Sequence, residues 1–209
     1  MPIASTLWQQ VKYLPKGRPF SSRRFAGLGS PSAVGKAIAR LVSAGQLERI
    51  RRGIYMRPKI SPYIGSVRPS ALAVIRVIAK QNHETIQVHG AEAVRAFRLS
   101  TQMQIQPVLY TSGSSREIRI GALTIRLRHV SSEKLQHAGT KVGLALVAFF
   151  YLGRKGVNPT AVAKIKSELT PAELKQLAAC KMPAWMSKAL AGSSTGLTPC
   201  IHGQTEHIS

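Results

Sequence analysis

Aspartate is absent from all 209 residues; the acids are eight glutamates, set against 30 lysines and arginines for a formal net charge of +22. That absence excludes a good deal of chemistry. Enzymes of phosphoryl transfer usually hold Mg²⁺ on Asp, and Ser-His-Asp hydrolysis and aspartic dyads require the residue itself. Cysteine is nearly as scarce. Cys180 and Cys200 are the two present, and neither sits in a C-x-x-C or His-spaced zinc pattern. Two unpatterned thiols suit a reducing cytoplasm and exclude a disulfide scaffold. Long apolar runs are missing too: the longest, Val142 to Leu152, is broken by Gly143 and falls short of the ~20 residues of a spanning helix. The opening MPIASTLWQQVKYL lacks a basic region followed by an apolar one, so no signal peptide is expected. The sequence predicts a cytoplasmic protein with no membrane partner.

What is present is cationic and able to fold. An apolar fraction of 44% supports a buried core, in one or two domains. The excess charge calls for a polyanionic partner, through phosphate neutralisation and counterion release. It is unevenly spread: residues 1–59 carry 12 basic residues and one acid, Glu48. A Pro- and Gly-rich stretch, RPKISPYIGSVRPS (57–70), then makes a poor helix and a natural linker. The predicted organisation is a DNA-binding domain over 1–59, a linker over 60–69, a second domain over 70–191 and a flexible tail over 192–209.

The first 59 residues read as helix, short helix, turn, third helix and basic hairpin. Ile3, Leu7, Val11 and Leu14 have near-helical spacing, ended by Pro15. Residues 17–29 offer a short helix capped by Ser21 or Ser22. Ser30 caps the next, Pro31 suits its first position and Gly45 stops it. Val34, Ala37, Ile38 and Leu41 form its buried stripe, with Ser32, Lys36, Arg40 and Ser43 opposite. Alternation around Arg51-Arg52-Gly53 predicts two short strands. This is the order of a winged helix-turn-helix, whose third helix enters the major groove. Ser32, Lys36 and Arg40 are then the predicted base and phosphate readers, Arg51, Arg52 and Arg57 hold flanking phosphate or minor groove, and Arg23 and Arg24 clamp the neighbouring backbone.

Residues 70–82 predict a helix, 85–90 a short strand and turn, and 91–97 a helix. Strands follow over 107–113, 117–121 and 123–130, then a buried helix with a Gly stop over 141–153. Arg119, Arg126 and Arg128 alternate with Ile118, Ile120, Ile125 and Leu127, so one face of this sheet is apolar and the other a ladder of positive charge. The expected fold class is α+β: an N-terminal winged helix-turn-helix followed by a mixed α/β domain.

Here GAEAVRAFRLSTQ (90–102), VLYTSGSSREIRIG (108–121), LTIRLRHV (123–130), MPAWM (182–186) and the RRGIYMRP of the hairpin, taken in order, resemble the AbiEi-like antitoxins of abortive-infection E, type IV toxin–antitoxin systems of phage defence. The resemblance spans about residues 5–190, with one departure at Phe97-Arg98. It implies an N-terminal domain that binds inverted repeats in its own promoter as a transcriptional repressor, with two copies on the DNA. It also implies a C-terminal domain that counters a nucleotidyltransferase-like toxin; no toxin-contact residue carries over.

Other clusters read more plainly. His83, His89, His129 and His137 lack H-x-x-x-H spacing and suit turns or surface. Thr111 to Ser115 is a strand-ending turn without the G-x-x-x-x-G-K-[ST] of a phosphate loop. Arg116, Arg119, Arg126 and Arg128 suit RNA, an acidic toxin face or plain solvent. Phe149, Phe150 and Tyr151 read as core. No catalytic set, cofactor or metal is predicted, and the chain is not expected to be an enzyme. Two alternatives stand beside the antitoxin. One is a free-standing winged-helix transcriptional regulator with a ligand- or partner-sensing C-terminal domain. The other is a nuclease or RNA-modifying enzyme, disfavoured by the missing Asp.

Overall fold

Serine and proline set the first boundaries. In the computed structural model, which describes residues 3–63 and 65–192, helix α1 (Ile3–Val11) buries Leu7 and Val11. Strand β1 (Pro19–Ser21) leads into a 3-10 helix, Ser22–Leu28, whose first turn is capped by Ser21 accepting from the Arg23 N–H at 3.2 Å. Residues 17–29 are therefore strand then 3-10 helix, not the single short helix expected. Helix α2 (Pro31–Ser43) starts as predicted: Ser30 accepts from the Ala33 N–H, Pro31 occupies the first turn, and Val34, Ala37, Ile38 and Leu41 are its buried residues.

Strands β2 (Glu48–Arg51) and β3 (Ile54–Met56) follow. They pair antiparallel across a turn in which Gly53 has φ +78°, a conformation that costs glycine nothing. β1 adds to the far side of β3, giving the order β1-β3-β2. Leu7, Val11, Phe20, Phe25, Val34, Ile38, Leu41 and Leu47 form one core beneath these elements.

The expected linker is folded. Strands β4 (Ile60–Ser61) and β5 (Gly65–Ser66) make a small hairpin. It is held back on the first unit by the Ser66 hydroxyl and Arg68, both on Glu48 at 3.3 and 3.5 Å. Helix α3 (Ala71–Gln81), capped by Ser70, packs against both β1 and β3. It also buries Ile75 among Ile118, Ile125 and Leu127 of the next sheet.

That sheet has four strands, β6 (Ile86–Val88), β7 (Val108–Thr111), β8 (Arg116–Ile120) and β9 (Leu123–His129), in the order β6-β7-β9-β8. The pair β7–β9 is parallel and the other two are antiparallel. Helix α4 (Gly90–Ala96) sits between β6 and β7 in the chain. Helix α5 (Lys141–Gly156) breaks from helical geometry at Gly153, the predicted stop. Helices α6 (Pro159–Ser167), α7 (Pro171–Ala178) and α8 (Ala184–Gly192) complete the second core around α5. The fold is mixed α+β. No described helix is long and apolar enough to cross a membrane. From residue 193 onward the tail, including Cys200, lies outside the described residues.

Candidate nucleic-acid interface

The buried stripe of α2 dictates what its other side shows. With Val34, Ala37, Ile38 and Leu41 turned into the core, Ser32, Lys36 and Arg40 fall on the outer face, and all three are exposed. None of these three side chains meets a hydrogen-bond or ion-pair partner among the described residues. Arg51 and Arg52 at the β2–β3 tip are likewise exposed and unpaired among them. The tip is fastened to the 3-10 helix by the Ser22 N–H, which donates to the Gly53 carbonyl at 2.9 Å. The chain passes directly from α2 into β2, with the Gln46 and Leu47 N–H groups both donating to the Leu41 carbonyl. Helix face and hairpin tip thus sit on one braced frame.

The remaining predicted residues divide. Arg24 is exposed and unpaired among the described residues. Arg23, also exposed, turns toward α3, its Nη1 donating to the Gln81 carbonyl at 3.1 Å. There the guanidinium meets the negative end of the helix dipole. Arg57 is half-buried, and its Nη1 donates to the carbonyls of Lys12 at 2.5 Å and Leu14 at 2.8 Å. It anchors the chain leaving α1 and does not face outward with the hairpin tip. Sequence gives the charge of Arg23 and Arg57 but not these long-range carbonyls.

The second unit carries its own polar cluster. Burial lowers the pKa of His89, and the Arg128 charge lowers it further. Its Nδ1 accepts from the Ala91 N–H at 3.2 Å, and its ring lies 4.9 Å from that of Tyr110 and 5.5 Å from that of Tyr151. Tyr151 is 49% exposed, whereas Phe149 is fully buried; the expectation that Tyr151 is core is corrected, because it caps this cluster from the outside. A group whose folded pKa is depressed takes its proton more readily when unfolded. The unfolded state is therefore favoured as pH falls through and below about 6.5. Melting curves of the wild type and His89→Gln across pH 8 to 5 should diverge only below about 6.5, the wild type losing more. Parallel curves would refute the assignment.

The turn after β7 is already filled. The Glu84 carboxylate accepts from Arg116 Nη2 at 2.5 Å and from the Thr111 hydroxyl at 3.4 Å. A carboxylate in that position repels phosphate, consistent with a strand-ending turn. Among the described residues no group of three or more His, Cys, Asp or Glu side chains is arranged to hold a metal. Cys180 is buried, and burial pushes its thiol pKa up.

Residues 6–177 match a protein family described as a family of unknown function (DUF6088). Among solved structures, the chain is similar to the RV2827C protein from Mycobacterium tuberculosis, with 13% identity over 91% of this chain and 70% of that one, at a TM-score of 0.40. No curated protein matches it.

Proposed function

We propose that this chain, which belongs to the DUF6088 family of unknown function, is a DNA-binding antitoxin that represses its own operon and counteracts a nucleotidyltransferase-like toxin. The observation that carries the DNA half is the pairing of two basic elements on one frame. The α2 face of Ser32, Lys36 and Arg40 and the hairpin tip of Arg51 and Arg52 are exposed and have no partner among the described residues. The element order and the β1-β3-β2 sheet support reading the unit as a winged helix-turn-helix. In that reading α2 enters the major groove, Ser32 admits a phosphate at the helix start, and Lys36 and Arg40 meet base edges. Arg24, Arg51 and Arg52 take flanking phosphates, while Arg23 and Arg57 hold the frame. Two copies bind an inverted repeat.

The antitoxin half rests on the motif order over 90–130 and its similarity to AbiEi-like antitoxins. The proposed role is not enzymatic. Co-expression of the full chain with the product of the adjacent gene should restore growth that this product alone arrests. A neighbour that is harmless, or whose toxicity the chain leaves untouched, sinks this half and leaves the DNA half standing. A second reading, a ligand-sensing transcriptional regulator, is favoured by one feature. A cleft of about 530 Å³ between the units is lined by Phe20, Val77, Arg23, Arg24, Lys80 and His83.

A further inference from the structure

The four-stranded sheet is covered on one face by α3, whose Ile75 packs on Ile118, Ile125 and Leu127. The other face is covered over only half its width. Gln87 of β6 and Tyr110 of β7 are buried there, with Tyr110 in the core that α5 completes. The register continues this face outward: Tyr110 stands opposite Arg128, Val108 opposite Arg126, Arg126 opposite Glu117, and Thr124 opposite Arg119. Arg119, Arg126 and Arg128 are all exposed. An open trough of about 590 Å³ runs over this half-face, lined by His89, Gln104, Val108, Ser115, Arg126 and Arg128 among others.

The chemistry of the trough is specific. Arg128 has no hydrogen-bond or ion-pair partner among the described residues. Arg126 donates to Glu117 at 3.1 and 3.2 Å, but both side chains are at least half exposed. Such a surface pair is worth little and yields readily to a phosphate. Two residues apart on one strand face, the two arginines are ~6.8 Å apart along the chain, comparable with successive phosphates of an extended polynucleotide. His89 lines the trough, and its ring meets that of the half-exposed Tyr151 at 5.5 Å between centroids. The Nδ1 of His89 is engaged by Ala91 and Gln104, so the neutral ring presents Nε2–H. With Gln104 and Ser115 it supplies uncharged groups that suit a sugar hydroxyl, which deoxyribose lacks.

We propose that this trough binds single-stranded RNA, with Arg126 and Arg128 on consecutive phosphates and unstacked bases against Tyr151 and His89. Backbone-tracking cations beside aromatic platforms are what single strands use. A duplex keeps its base faces stacked inside and leaves the rings here nothing to meet. The site is separate from the α2 face and the hairpin tip.

The test uses the full chain and three probes: a short oligouridine RNA, the DNA of equivalent sequence, and promoter duplex. Arg126→Ala with Arg128→Ala should weaken RNA binding and lower the slope of log affinity against log salt by about 1.4, near 0.7 per lost phosphate, leaving duplex binding unchanged. Tyr151→Leu should weaken RNA binding roughly fivefold or more. The variant Lys36→Ala, Arg40→Ala, Arg51→Ala, Arg52→Ala should lose duplex and keep RNA. An unchanged RNA salt slope in the Arg126/Arg128 variant, or single-stranded DNA bound as tightly as RNA, overturns the proposal. Wild-type protein that binds RNA but no duplex supports this site and refutes the DNA half of the proposed function.

Discussion

Lys36→Ala combined with Arg40→Ala should abolish most of the preference for promoter over random duplex, whereas Arg51→Ala combined with Arg52→Ala should weaken both alike. The reason lies in where the four side chains sit. Lys36 and Arg40 project one turn apart from the outer face of α2, whose inner face is locked by Val34, Ala37, Ile38 and Leu41. A helix in the major groove presents such positions to base edges, and each base contact is worth ~1–3 kcal/mol. Losing two costs roughly 30-fold or more in specific affinity. The hairpin tip instead presents two point charges on a turn. Their loss removes about two phosphate contacts, so the salt slope falls by ~1.8, near 0.9 per phosphate. Gel shifts on promoter and random DNA at two salt concentrations read both effects; equal loss of the two DNAs in both variants would falsify the division. Arg57→Ala belongs to neither class. It removes the donor to the Lys12 and Leu14 carbonyls, and should show in the melting temperature first.

The largest stability effect should come from α5. Phe149 is fully buried at the centre of the second core, beside Ala145, Leu146 and Val162. Phe149→Ala should cost ~3–5 kcal/mol, through lost burial and the cavity left behind. That is a large part of the 5–15 kcal/mol of a typical domain, and about 10 °C in melting temperature. Tyr151→Ala, two residues on and half exposed, should cost far less. Gly143 adds a control on the same helix: a β-carbon there would lie 2.2 Å from the His137 carbonyl oxygen and 2.7 Å from Gln87 Nε2. Gly143→Ala should therefore destabilise by overpacking, ~1–3 kcal/mol or more. Urea unfolding measures all three, and a Phe149→Ala protein as stable as Tyr151→Ala would show the core to be elsewhere.

The elements legible in the sequence are those whose signals are local. Ser30, Pro31 and a stripe at helical spacing define α2 with no help from the rest of the chain, and alternation defines β8 and β9. β1 was not legible because Pro19, Phe20 and Ser21 become a strand only by pairing with β3, more than 30 residues on. Helices α6 and α7 also carry local signals: Asn158-Pro159 and Thr170-Pro171 are cap and first turn, and Thr170 with Glu173 forms a capping box. The candidate site was half legible. Amphipathic spacing places Ser32, Lys36 and Arg40 outside, but spacing says nothing of which carbonyl an arginine reaches: Arg23 meets that of Gln81, and Arg57 those of Lys12 and Leu14. The turn at Thr111–Ser115 hid Glu84 for the same reason, the two being far apart in sequence.

Helix α3 lies against β1 and β3 on one side and the second sheet on the other. A truncation ending at residue 59 would strip that cover and bare the apolar flank beneath it. The excised front portion would then face water with greasy surface and a strong propensity to clump. A cut after α3, at about residue 83, keeps that flank covered and carries Arg23's anchor, Gln81, along with it, but it uncovers Ile75 on the side of α3 that faces the second sheet.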